Sequence, residues 1–181
     1  PYQPANIWQS VWNGATWKKA DDGNQYRRAI YVFQKRTSPY PSMLSFDGSS
    51  REVCTQRRIR TNTPLQALVT LNDPVYVETA VALARHMQKN GGKDIAACIR
   101  WGYQTALYKP LPDSKLAVLQ KLYTEALQEY HKKPGNADTL LIAYRNMPEA
   151  AGKQQQEKTE LAALTVVANA IMNLDEFLIK S

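Results

Sequence analysis

Leu161–Leu174, LAALTVVANAIMNL, is the stretch that decides the fold. Its apolar residues surround nearly the whole circumference of an α-helix, and a helix that is apolar on all sides belongs in the centre of a core. We predict that this helix extends from Glu157 to about Ile179. The one polar stripe, which would face either water or a buried polar group such as an arginine, consists of Thr165, Asn169, Asn173 and Glu176. These interruptions also leave the segment short of the roughly 20 apolar residues that a membrane span needs, so we predict no transmembrane segment in this chain.

Five further segments upstream have apolar residues at helical spacing, bounded by proline, glycine or capping residues. The pattern predicts helices over residues 64–71, 74–89, 94–108, 114–131 and 136–147. Cys98 lies on the apolar face of the third of these and is interpreted as a core residue. The fold class is therefore mainly α: a bundle of about five or six helices.

The first sixty residues have a different composition. Trp8, Trp12 and Trp17 precede a turn signal at residues 21–24, and Ile30–Phe33 is a β-branched and aromatic run that could be a short strand or a helical turn. We favour an extended aromatic arm followed by a long loop. The chain is predicted to be a single domain over 1–181, with arm and loop at 1–60 and a helical body at 61–181. Because it opens at Pro1, we expect it to be the C-terminal fragment of a larger protein.

Half of the segment Arg51–Asp73, REVCTQRRIRTNTPLQALVTLND, is explained by residues that cap or begin helices. Thr63 and Gln66 fit a capping box, in which each side chain bonds the other's backbone N–H, and Pro64 fills the first helical position. Asp73 followed by proline repeats the signal for the next helix. The remaining polar residues of the region have no such assignment.

The candidate binding site consists of Asp47, which precedes this segment, and of four residues within it: Arg51, Cys54, Arg57 and Arg58. Guanidinium groups match carboxylate, phosphate or sulfate in a bidentate manner, so the arginines could hold an anion. Alternatively, they could form ion pairs with carboxylates of this chain and fix the loop to the helical body. Cys54 beside arginines could be a nucleophile, but a catalytic base is also required, and the two histidines, His86 and His131, lie far away in sequence.

The net charge of the chain and its lack of metal, haem and nucleic-acid motifs limit the ligands and cofactors that we expect. The formal charge of +7 is compatible with a polysaccharide or another anionic ligand. Two isolated cysteines and two isolated histidines lack zinc spacing, and no C-x-x-C-H haem attachment is present, so we expect no metal and no cofactor in this chain. Nucleic-acid-binding signatures are also absent, and no nucleic acid partner is expected.

Three stretches carry a family resemblance: YRRAIYVFQKRTSPYPSMLSFDGSSREVC from Tyr26, RRIRTNTPLQALVTLNDP from Arg57 and ALTVVANAIMNLDEFL from Ala163. Together they resemble the planctomycete-type secreted domain of unknown function. The stop at Tyr108–Pro112 also looks familial. The resemblance implies an exported bacterial parent protein with an extracytoplasmic location, periplasmic or in the cell envelope. It also implies a cytochrome c module in the parent's N-terminal part, where haem c would be held.

The resemblance implies no reaction and no catalytic residues. We therefore favour a non-catalytic interaction or scaffold module whose first partner is the remainder of the parent protein. The alternative is a carbohydrate-binding or carbohydrate-active module of a polysaccharide-utilisation protein, which would use the arginine loop and the tryptophans. Tryptophan rings interleaved with basic residues could stack on sugars, although such an arm could equally pack against its own domain.

Overall fold

The computed structural model describes residues 27–32, 39–49, 54, 56, 61–141 and 155–179. Within these ranges it contains eight α-helices and no strand, which confirms the mainly α prediction. The α-helices are α1 (Pro41–Ser45), α2 (Pro64–Asn72), α3 (Pro74–Gly91), α4 (Ile95–Leu107), α5 (Asp113–Lys132), α6 (Pro134–Leu140), α7 (Gln155–Met172) and α8 (Asp175–Leu178). The chain divides into two compact units, Pro1–Val69 and Thr70–Ser181.

The first unit has little regular structure among its described residues. A short 3₁₀ helix over Ala29–Tyr31 replaces the extended segment predicted at Ile30–Phe33. The extended prediction was wrong for Ile30 and Tyr31, which lie in this helical turn and are 76% and 62% exposed, whereas Phe33 lies outside the described residues. The predicted tryptophan arm lies outside the described residues. α1 begins at Pro41 after an extended Tyr40, as the prolines of this segment require.

The second unit is organised around α7. This helix packs against α3, α5, α4 and α6, and most of its side chains are fully buried, which confirms the prediction of a central helix. Its apolar residues with at most 3% exposure are Leu161, Ala162, Ala163, Leu164, Val167, Ala168, Ile171 and Met172. Cys98, at 1% exposure, is a core residue as predicted.

The last predicted helix is interrupted. α7 ends at Met172, Leu174 is extended, and the short α8 begins at Asp175. The Thr70 hydroxyl donates a hydrogen bond to the Asn173 side chain, with 2.6 Å between Thr70 Oγ1 and Asn173 Oδ1. The break therefore coincides with a tertiary contact that the periodicity of the sequence does not encode.

α3 and α4 approach each other closely at the end of α3. A Cβ atom added to Gly91 would lie 2.5 Å from Cys98 Cα and 2.6 Å from Cys98 Sγ. Real Cβ atoms do not approach backbone atoms this closely, so the two helices can reach this spacing only because residue 91 lacks a side chain.

Gly91→Ala should therefore lower the free energy of unfolding by about 2 kcal/mol, because the backbone at Cys98 must move. Urea unfolding monitored by circular dichroism measures the change. Gly135→Ala is the matched control, since nothing lies within 4 Å of a Cβ at that helical position. A Gly91→Ala variant as stable as the control would contradict the close approach.

Candidate functional site

A chain of hydrogen bonds in the first unit centres on Gln66, which is 1% exposed. Its Oε1 accepts from Thr63 N at 3.1 Å, and Thr63 Oγ1 accepts from Gln66 N at 3.3 Å, so the predicted capping box is confirmed. Its Nε2 donates to Ser45 O and to Thr61 Oγ1, both at 2.9 Å. One buried amide thus joins the start of α2 to the end of α1.

Asp47 continues this network. Its Oδ2 accepts from Thr61 N at 3.0 Å and from Thr61 Oγ1 at 2.7 Å. The residue has φ 55° and precedes Gly48, whose N–H bonds Met43 O at 2.6 Å in the tight turn after α1. An aspartate in the left-handed conformation whose side chain bonds a neighbouring loop is typical of a residue that stabilises a turn. This carboxylate therefore holds Thr61 in place.

The other residues of the predicted binding site are only partly described. Cys54 is exposed and forms no disulfide. Arg51, Arg57 and Arg58 lie outside the described residues, so the predicted anion site and the alternative of internal ion pairs both stay predictions for them. Sequence reasoning missed Thr61, which connects Asp47 to Gln66. Thr61 lies just before the capping box and is not part of it, so the local pattern gives no signal for such a role.

A second polar cluster, in the second unit, joins three helices. Tyr103 on α4 donates its hydroxyl to Glu176 Oε2 on α8 at 2.8 Å. Lys115 on α5 donates to Glu176 Oε1 at 2.9 Å and to the Tyr103 hydroxyl at 3.4 Å, and its ammonium lies 5.8 Å from the Tyr103 ring centroid. The arrangement attaches the short α8 to the body of the unit.

Each pKa in this cluster shifts in the direction that stabilises the contact. The hydrogen bonds from Lys115 and then Tyr103 lower the pKa of Glu176, and the bond to Glu176 raises the pKa of Lys115. Burial, followed by the bond to Glu176, raises the pKa of Tyr103. A tyrosine whose pKa is raised keeps its proton, so Tyr103 is not prepared as a nucleophile or base.

Acid should detach α8. Because the folded pKa of Glu176 lies below the ordinary glutamate value of about 4.3, its contribution is present above that value and is lost as pH falls through the folded pKa. Stability measured by urea unfolding should therefore fall below about pH 4, and Glu176→Gln should reduce the steepness of that fall. Glu125→Gln, an exposed control on α5, should preserve it. Identical pH profiles for Glu176→Gln and the parent chain would contradict this role.

The polar stripe begins on α7 and continues to Glu176. It contacts the C-terminal end of α2 and, at Glu176, the side chains of Lys115 and Tyr103. Asn169 Nδ2 donates to Leu71 O at 3.4 Å, one of the terminal carbonyls that a helix cannot satisfy internally. The Thr165 hydroxyl donates to Leu161 O, and Asn173 contacts Thr70. These residues therefore face polar groups of the protein, the second of the two alternatives, although the partners are backbone carbonyls and a threonine and not an arginine. Asn169 Oδ1 is buried and has no hydrogen-bond partner among the described residues.

Three further described groups, a thiol and two phenols, have raised pKa values. Burial raises the pKa of Cys98, of Tyr130 and of Tyr123, the last to about 12. In the described ranges, no three potential metal ligands gather in one place. A cavity of about 500 Å³ near the start of α7 has no paired acid and base in its lining, which consists of His131, Pro134, Gln155, Gln156 and Thr159.

The described part of the chain is mainly α-helical, and its two polar clusters join helices and loops of the unit in which each of them lies. The family model described as PSD1, protein of unknown function (DUF1553), matches residues 1–123, more than half of the chain. The chain belongs to this family. No curated protein and no solved structure matched it. Among the described helices, none is both long enough and apolar enough to cross a membrane.

Proposed function

We propose that this chain is a non-catalytic interaction or scaffold module of an exported bacterial multidomain protein that also carries a cytochrome c module. The supporting observation is an exposed leucine ridge on α2, formed by Leu65, Leu68 and Leu71, which are 59%, 57% and 43% exposed. Residues three apart lie on the same side of a helix. Exposed apolar side chains that are contiguous mark interaction surfaces more often than scattered ones do.

The polar clusters agree with a structural role. Asp47, Gln66 and Glu176 each serve a contact that fixes one element to another. An enzyme would instead need an activated nucleophile or base at a cavity. The tyrosines and the buried thiol with shifted pKa values are all shifted toward the protonated, unreactive form.

Photo-crosslinking in the intact parent protein tests this function. A diazirine amino acid at position 68 should form crosslinks to residues of the parent outside this 181-residue chain, or to a second protein, as mapped by mass spectrometry. The same amino acid at position 118, where Val118 is 66% exposed on α5, serves as the control and should react mainly with water. Equal yields at both positions, or crosslinks confined to this chain, would contradict the interaction role.

The carbohydrate-binding alternative has no supporting contact among the described residues, because its tryptophans and all four arginines of Arg51–Arg60 lie outside them. A glycan-array comparison of the parent protein with and without this chain distinguishes the two functions. Glycan binding that depends on the chain would favour the alternative. Binding that is equal with and without the chain would favour the interaction module.

A further inference from the structure

Tyr108 occupies an unusual position at the end of α4. It is 90% exposed, and as the C-cap residue it has φ 56° and ψ 27°, in the left-handed region. Glycine is the usual residue there, because a side chain on Cβ crowds the following carbonyl oxygen. A bulky residue with positive φ is a genuine outlier. The exposed ring gains little packing within the chain to offset this strain.

The turn that presents Tyr108 is held firmly. Tyr108 N donates to Gln104 O at 2.8 Å, and Leu111, three residues later, is 6% exposed. Arg100 donates through Nη1 to Leu111 O at 3.3 Å and through Nη2 to Asp113 Oδ1 at 2.7 Å. Pro110 and Pro112 further restrict the backbone. The ring is therefore presented on a preorganised support, which reduces the entropy lost on binding.

The neighbouring charge indicates what kind of partner fits. Lys109 is exposed and forms no ion pair with any described residue. Glu176, the carboxylate whose pKa Lys109 helps to lower, is already bonded to Lys115 and Tyr103. The chain as a whole carries a formal charge of +7. An exposed ammonium without an ion-pair partner among the described residues, next to an exposed ring, complements a carboxylate beside an apolar side chain.

We propose that Tyr108 and Lys109 form a docking site for an acidic peptide segment of a partner protein, with the tyrosine ring covered by apolar side chains of that segment. Tyrosine is among the residues enriched at the energetic centres of protein interfaces. Backbone strain retained at an exposed position is characteristic of functional sites. This inference rests on the proposed interaction role and assigns it a specific surface.

A phage-displayed library of short random peptides, selected on the immobilised chain, provides the test. Selected peptides should be enriched in aspartate and glutamate beside apolar residues, and their affinity should fall as salt rises. Tyr108→Gly should weaken the binding of a selected synthetic peptide about tenfold or more, while Tyr108→Phe retains most of it. Lys109→Gln should weaken binding and reduce its salt dependence, and Val118→Ala should change neither.

Tyr108→Gly also excludes unfolding as the explanation, because glycine adopts the left-handed conformation without strain and the Tm should be equal or higher. The inference is overturned if no peptide is enriched, if the enriched peptides lack acidic residues, or if they bind Tyr108→Gly as tightly as the parent chain. None of these results would contradict the interaction role itself, because the crosslinking experiment at position 68 tests that role separately. The two failures are therefore distinguishable.

Discussion

Replacing Ile171 by alanine should lower the free energy of unfolding by about 4 kcal/mol. Ile171 is 0% exposed on α7, the helix that packs against α3, α4, α5 and α6. Removing a fully buried isoleucine side chain loses its transfer free energy and leaves a cavity that the surrounding helices cannot fill, with costs of roughly 2–5 kcal/mol. Urea unfolding followed by circular dichroism measures the change, with the slope m compared between variants.

Val118→Ala is the matched control for this substitution. Val118 lies on α5 and is 66% exposed, so its truncation should change stability by no more than about 0.5 kcal/mol. If Ile171→Ala and Val118→Ala had the same small effect, α7 would not be the centre of the core. A change in m for Ile171→Ala would instead report an altered unfolded or native ensemble.

Replacing Gln66 by leucine should lower the free energy of unfolding by about 3 kcal/mol. The side chain is buried and accepts from Thr63 N while donating to Ser45 O and Thr61 Oγ1. Leucine has a similar volume but leaves these groups without their partner, and each buried unsatisfied polar group costs about 1–3 kcal/mol. The same urea experiment measures the loss.

Gln104→Leu provides the comparison, because Gln104 is an exposed glutamine in the interior of α4. Its replacement should alter stability by about 0.5 kcal/mol or less. Should Gln66→Leu prove as stable as Gln104→Leu, the network at the start of α2 would not hold the first unit together.

Local chemistry explains why several elements were predictable from the sequence. Thr63, Gln66 and Pro64 start α2 as the capping box requires, and Asp73 caps α3 by accepting from Val75 N at 2.9 Å. α7 was recognisable because its apolar residues occur on all sides of the helix. These signals lie within one or two helical turns, so no knowledge of distant segments was needed.

The features that sequence reasoning missed depend on distant contacts. Asn173 meets Thr70, which lies 103 residues away, at the break between α7 and α8. Tyr103, Lys115 and Glu176 converge from three helices, and none of them belongs to a recognisable motif. The left-handed Tyr108 was also unexpected, because the sequence indicated a helix stop there without specifying its geometry. Only the packed structure brings such residues together.

The candidate binding site also combines a local sequence signal with a contact that the sequence did not indicate. Asp47 and Arg51–Arg58 were grouped because polar and basic residues lie close together in sequence. In the structure, Asp47 bonds Thr61, fourteen residues later, and through it reaches Gln66. These described contacts of Asp47 stabilise the loop, and its predicted role in ligand binding stays a prediction.

A double-mutant cycle between Asp47→Gly and Gln66→Leu tests whether the polar cluster of Asp47, Thr61 and Gln66 serves the fold. Glycine fits the positive φ of residue 47, so Asp47→Gly removes the carboxylate without backbone strain. We predict a coupling free energy of about 1 kcal/mol or more, because Thr61 bonds both side chains. Effects that add within about 0.3 kcal/mol would contradict the structural role of this cluster.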